Sequence, residues 1–113
     1  MLPAASRMRR SADFAAVVRA GRRARRGVLV IHRQDALRPG PALVGLVVGR
    51  TVGGSVQRHR VSRRLRAELA RRLDRFPAGS GTVVRALPGS AAATSERLGA
   101  DLDGALSRLG GSR

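Results

Sequence analysis

The stretch 43-LVGLVVGRTVGGSVQRHRVSRRLRAEL-69 changes character twice. Its opening, 43-LVGLVVG-49, is short, apolar and rich in valine, and reads as a strand buried on both faces. The middle, 49-GRTVGGS-55, is a glycine-rich turn. From Ser55 the spacing becomes helical: at about 100° per residue, Val61, Leu65, Leu69, Leu73 and Phe76 fall in one arc, so a helix is expected from Ser55 to about Phe76. Arg60, Arg63, Arg64, Arg71 and Arg75 fall on the opposite side. One face of this helix therefore goes to a core and the other stays charged.

Working outward, 11-SADFAAVVRAG-21 predicts a short helix. Ser11 is the expected cap, Asp13 suits the positive end of the dipole, Phe14, Val17 and Val18 share a face, and Gly21 is the stop. The run 22-RRARRG-27 reads as a charge run and 28-VLVIHR-33 as a strand. The turn formers of 35-DALRPGP-41 place this strand close enough to 43–49 to pair with it antiparallel. A third strand, 82-TVVRAL-87, precedes Pro88-Gly89. Leu98, Leu102, Ala105, Leu106 and Leu109 form the apolar stripe of a last helix capped by Thr94 or Ser95. The expected order is α-β-β-α-β-α, an α+β sandwich of one sheet and helices, in a single domain over residues 1–113. Residues 1–10 are expected to be a flexible basic arm.

The charge points to a partner. All 23 basic residues are arginine, against seven acids, for a net charge of +16. Residues 1–75 carry 19 of the arginines and a net +15; residues 76–113 carry +1. Between Ser55 and Ala67 there are five arginines and no acid, whereas a merely soluble helix mixes signs. Such a surface calls for a polyanion, and the planar donor fork of arginine suits phosphate and base edges. Cysteine is absent, which removes disulfides and thiolate metal sites and fits the cytosol. The opening MLPAASRMRR has no apolar run of signal-peptide length, and no stretch approaches a membrane span. A peripheral membrane role would favour aromatic anchors that the basic segment lacks.

Several chemistries are disfavoured. Gly49 and Gly54 have the spacing of a P-loop, but Ser55 stands where its lysine belongs. His32 and His59 have no carboxylate at ligand-like spacing, so no metal site is expected. No local signature marks a nucleophile and base, so no catalytic residue is assigned. A helix-turn-helix needs two helices joined by a short turn, whereas Gly53-Gly54 joins a strand to a helix. Stacking RNA-recognition sheets need aromatics, and Phe14 and Phe76 are the only phenyl rings. What remains is a basic α+β protein that binds structured RNA through phosphates and shape.

The segment 44-VGLVVGRTVGGSVQRHRVSRRLR-66 resembles the signature of the protein subunit of bacterial ribonuclease P. The family's Arg-Asn-Arg core is Arg58-His59-Arg60 here, followed by Arg63 and Arg66, and 9-RRSADFAAVVRAGRR-23 looks like its first helix. The resemblance implies a left-handed β-α-β crossover, against the usual rule. It implies a cytoplasmic ribonucleoprotein endonuclease in tRNA processing, a hydrolase whose catalytic RNA cleaves the 5′ leader of precursor tRNA with Mg2+ held by RNA and substrate. No further protein partner is required. The RNA-binding set it implies is Arg50, Arg58, His59, Arg60, Arg63 and Arg66. The leader cleft it implies holds Phe14, Val18 and His32.

The chain departs from the family at several points. His59 replaces the usual asparagine but still donates and accepts hydrogen bonds, Gly54 stands where asparagine is common, and Arg50-Thr51 replaces a basic pair. Val18 and His32 occupy positions often aromatic, which leaves more of any base stacking to Phe14. Spacing alone also allows Phe14 to be a core residue anchoring the first helix. A ribosomal or other structured-RNA-binding protein would share size, charge and RNA binding, and a nucleoid-type DNA binder the charge only.

Overall fold

The computed structural model describes residues 2–110. Along them run α1 (Ser11–Ala20), β1 (Arg22–Arg26), β2 (Leu29–Gln34), β3 (Leu43–Val47), α2 (Ser55–Ala70), β4 (Gly81–Ala86) and α3 (Ser95–Arg108). Short 3-10 turns lie at Ala4–Ser6, Leu73–Arg75 and Ser90–Ala92. The sheet order is β1-β2-β4-β3. β2 pairs antiparallel with both β1 and β4, whereas β3 and β4 are parallel and joined through α2.

Side chains alternate between the two faces of the sheet. Ala24, Leu29, Ile31, Val44, Val84 and Ala86 turn one way and are buried with Val61, Leu65 and Leu69 of α2 and Leu98, Leu102, Ala105 and Leu106 of α3. Burying each of the larger aliphatic side chains contributes about 1.5–3 kcal/mol. The other face is more thinly covered. There α1 buries Val17 against Met8 and Val83, with Phe14, Leu43 and Val47 partly buried beside them.

Polar ties fix the helices on this frame. Thr94 caps α3, its Oγ1 accepting from the Arg97 N–H at 3.1 Å. At the other end of α3, Arg22 and Arg33 both donate to the Leu109 carbonyl, two cations at the negative end of the helix dipole. Arg33 is buried, and its Nε lies 3.2 Å from the Asp35 carboxylate. Arg72 clamps α2 to α3, donating to Asp103 at 2.7 Å and to Glu68 at 2.8 Å. The buried Asp101 accepts from the Val28 N–H at 3.2 Å, and a β-carbon on Gly27 would stand 2.3 Å from its Oδ2. Gly27, at φ 57°, thus shapes the two-residue β1–β2 turn and leaves room for that carboxylate.

The structure corrects five expectations. The charge run 22–26 is a strand, β1, on the edge of the sheet. β2 and β3 do not form a hairpin, because β4 lies between them. The expected arm over 1–10 is docked through residues 2–8: Leu2 and Met8 are buried, and the Met8 N–H donates to Val44 at 2.9 Å. α2 ends at Ala70, and a 3-10 turn carries the chain to the buried Phe76. Arg10, not Ser11, is the N-cap of α1 and offers no side-chain cap. Asp13 instead turns into the protein, where Arg38 donates to it at 2.8 Å.

Candidate nucleic-acid interface

Two helices each border a groove near the end of β3, α2 against Val48 just past the strand and α1 against Val47. α2 starts at Gly54, after a turn in which the Val52 and Gly53 amides donate to Gly49 and Arg50. Gly53 takes φ 152°, a region L-residues rarely adopt. The exposed Arg50 lies in this turn, ahead of α2. Ser55, Arg58, His59, Ser62 and Arg66 share one edge of α2 and line the first groove with Val48. Arg63 is exposed and Arg60 half-buried outside that lining.

Of the six residues expected to meet RNA, the structure therefore brings three together in one groove, Arg58, His59 and Arg66, and leaves Arg50, Arg60 and Arg63 outside its lining. Helical geometry explains the division. Arg58, Arg66 and His59 lie within about 100° of one another, Arg63 about 40° beyond His59, and Arg60 about 100° beyond it.

Acids are segregated from these arginines. Among the described residues, ion pairs join Asp13 to Arg38, Asp35 to Arg22 and Arg33, Glu68 to Arg71 and Arg72, Asp103 to Arg72 and Arg75, and Asp101 to Arg97. None involves Arg50, Arg58, Arg60, Arg63 or Arg66, and the Arg58 Nε is buried without a partner. Arg64, which the periodicity also put on the charged side, donates instead to the Ala93 carbonyl at 2.7 Å and braces the loop before α3.

The second groove lies under α1. Phe14 and Val18 line it together with Ser11, Ala15 and Val47. Val18 is exposed, and the ring of Phe14 is half-buried on the backbone of Gly45, so Phe14 both packs and faces the groove. His32 is on the same face of the sheet but on β2, two strands from Val47, and only 7% exposed. Its imidazole pKa is lowered from 6.5, first by burial and then by the charges of Arg23 and Arg85.

Arg23, Arg25 and Arg85 are residues the sequence reading missed as part of this face. Strand alternation places all three beside His32 and Val30, exposed. The available signal was the glycine turn at 27, which folds 22–26 back on the apolar run that follows.

Among the described residues, no three His, Asp or Glu converge as metal ligands. The groups around both grooves are arginines, hydroxyls, one imidazole and apolar side chains, with no carboxylate, so this donor set does not fit a protein-held magnesium ion. No helix of the described residues is long and apolar enough to cross a membrane.

Residues 2–110 match the family described as Ribonuclease P. The chain is 49% identical over 123 residues to the ribonuclease P protein component of Streptomyces bikiniensis, with 100% of each chain covered. It is 50% identical over 111 residues to that of Acidothermus cellulolyticus, covering 96% of this chain and 92% of the relative. The fold is similar to the RNase P protein of Staphylococcus aureus, with a TM-score of 0.82 at 19% identity over 92% of this chain and 94% of that one. For the RNase P protein of Thermotoga maritima the TM-score is 0.77 at 21% identity, over 90% and 96%.

Proposed function

This chain belongs to the ribonuclease P protein family, and we propose that it binds the catalytic RNA of ribonuclease P and the 5′ leader of precursor tRNA, while the RNA cleaves. The observation that carries this reading is the segregation of charge. The arginines of α2 that border the groove have no acidic partner, whereas the ion-paired arginines brace the scaffold. Self-repulsion among Arg58, Arg60, Arg63 and Arg66 is relieved when phosphates replace small counterions, which also makes the affinity fall with salt.

In this reading the α2 face holds the catalytic RNA. Arg58 reaches into the groove toward one strand, Arg66 borders it on the side of Phe14, Arg60 and Arg63 grip the flanking backbone, and His59 supplies one donor and one acceptor. The leader lies along α1, where Phe14 offers a ring face and Val18 and Val47 an apolar floor. Arg23, Arg25 and Arg85 continue the cationic surface past His32. The chain supplies affinity, orientation and charge neutralisation. Magnesium belongs to the RNA and the substrate. A cytoplasmic site of action follows from the same reading, since that is where precursor tRNA is matured.

The test is a pair of affinities. The chain assembled with its catalytic RNA is titrated with precursor tRNA carrying a leader and with mature tRNA. Tighter binding of the leader-bearing species, dependent on the chain, supports the proposal. Equal affinities with and without the chain overturn it.

A further inference from the structure

The two grooves have a common neighbour. A third cavity lies between them, lined by Leu2, Arg7, Met8, Phe14, Val44–Leu46 and Arg66. Phe14 is shared with the α1 groove and Arg66 with the α2 groove, so the three cavities follow one another beside β3. No acid lines any of them. The outer wall of the third is the N-terminal segment, which the sequence had suggested would hang free.

Arg7 is built into that wall. Its backbone bridges Val44 in parallel register, and its Nε donates to the Leu2 carbonyl at 3.0 Å. The backbone is thus fixed and the Nε used, while the two terminal nitrogens of Arg7 have no protein partner among the described residues. Arg66, on the opposite wall, has none either. Two guanidinium groups line one small cavity whose floor is Gly45 and the edge of Phe14, and one anion between them would satisfy both forks.

We propose that Arg7 and Arg66 clamp a single backbone phosphate of the leader at the end of the α1 groove, in the cavity that borders the α2 groove. The inference rests on the leader-binding role proposed above and adds a specific contact to it. An RNA strand fits these cavities better than a peptide would. Its charge is regularly spaced along the backbone, its bases have π-faces for Phe14, and the cavities offer it cations beside an aromatic.

The experiment uses the chain assembled with the catalytic RNA and a series of precursor tRNAs. Each carries one uncharged methylphosphonate linkage, moved stepwise along the leader. The clamp predicts that one linkage, and not its neighbours, weakens binding by about tenfold, the scale of a lost charge-assisted contact. Arg7→Ala and Arg66→Ala should each weaken binding of the unmodified precursor by a similar factor and be insensitive to that linkage. Arg97→Ala, on α3, should behave as the parent. If Arg7→Ala merely loosened the N-terminal segment, its loss would persist at every linkage, so full sensitivity in both variants overturns the clamp while leader binding stands. If the parent itself does not distinguish leader-bearing from mature tRNA, the leader role fails and the clamp with it.

Discussion

The ring of Phe14 lies so close to Gly45 that a β-carbon built on that glycine would stand 2.5 Å from its Cε1 and Cζ. The glycine in the middle of β3 thus sets the depth at which the ring sits, half in the core and half in the groove. Gly45→Ala must push the ring or bend the strand, and overpacking of this kind costs about 1–3 kcal/mol. Leader affinity and melting temperature should fall together. Phe14→Leu separates the two roles. It keeps most of the apolar volume, at a stability cost below about 1.5 kcal/mol, but removes the π-face, which is worth about 1–3 kcal/mol per stacked base. Affinities for precursor and mature tRNA, measured beside a melting curve, read both effects. Unchanged leader affinity in Phe14→Leu would assign the ring to packing alone.

His32 makes stability depend on pH. Its folded pKa lies below its ordinary 6.5 because the ring is buried and faces Arg23 and Arg85. Between the folded and unfolded values, the unfolded chain binds more protons, so stability rises with pH there. The contribution is complete above about 6.5 and is lost as pH falls through the folded value. Denaturant unfolding across this range should show a downward slope toward acid that His32→Gln reduces. An identical slope in the variant would remove His32 as its source.

The arginines of α2 should divide by partner. Arg58→Ala with Arg60→Ala is expected to weaken assembly with the catalytic RNA by about 1–3 kcal/mol and leave the melting temperature nearly unchanged. Arg72→Ala should do the reverse. It strips the buried Glu68 of its 2.8 Å partner and opens the tie to Asp103, a loss of about 2–4 kcal/mol in stability, discounted for the half-exposed Asp103. Arg97→Ala with Arg108→Ala, on the near-neutral last helix, should do little to RNA assembly. Salt-dependent binding and thermal unfolding of the three variants check the division. Equal losses of RNA affinity in the first and last would mean that the charge acts only as a diffuse cloud.

What was legible in the sequence was whatever carried a repeating apolar signal. The stripe of α3, the arc from Val61 to Leu69 and the β-branched runs of β2, β3 and β4 each declared an element, because burial there follows the period of helix or strand. β1 did not. Four of its five residues are arginine, only Ala24 is buried, and its pairing with β2 is made by backbone groups that leave no mark in composition. The β2–β3 pairing was misread because nearness along the chain does not decide neighbours once a later strand can insert between two earlier ones. Leu2 and Met8 anchor the N-terminal segment, yet two buried residues without a period read as a loose end. The family signature located the arginines of α2, but only the fold separates Arg64, tied to Ala93, from Arg66, free in the groove.

The division of labour between chain and RNA is tested most directly by cleavage of 5′-labelled precursor tRNA in limiting magnesium, with the chain alone, the catalytic RNA alone, and the two together. Among the described residues no carboxylate lines the grooves, and no hydrogen bond joins His59 to Ser55 or Ser62. The predicted result is no product with the chain alone, and faster release of the leader at the mature 5′ end when chain and RNA are combined than with RNA alone. Leader removal by the RNA-free chain, or a rate for the mixture no greater than for the RNA by itself, would contradict it.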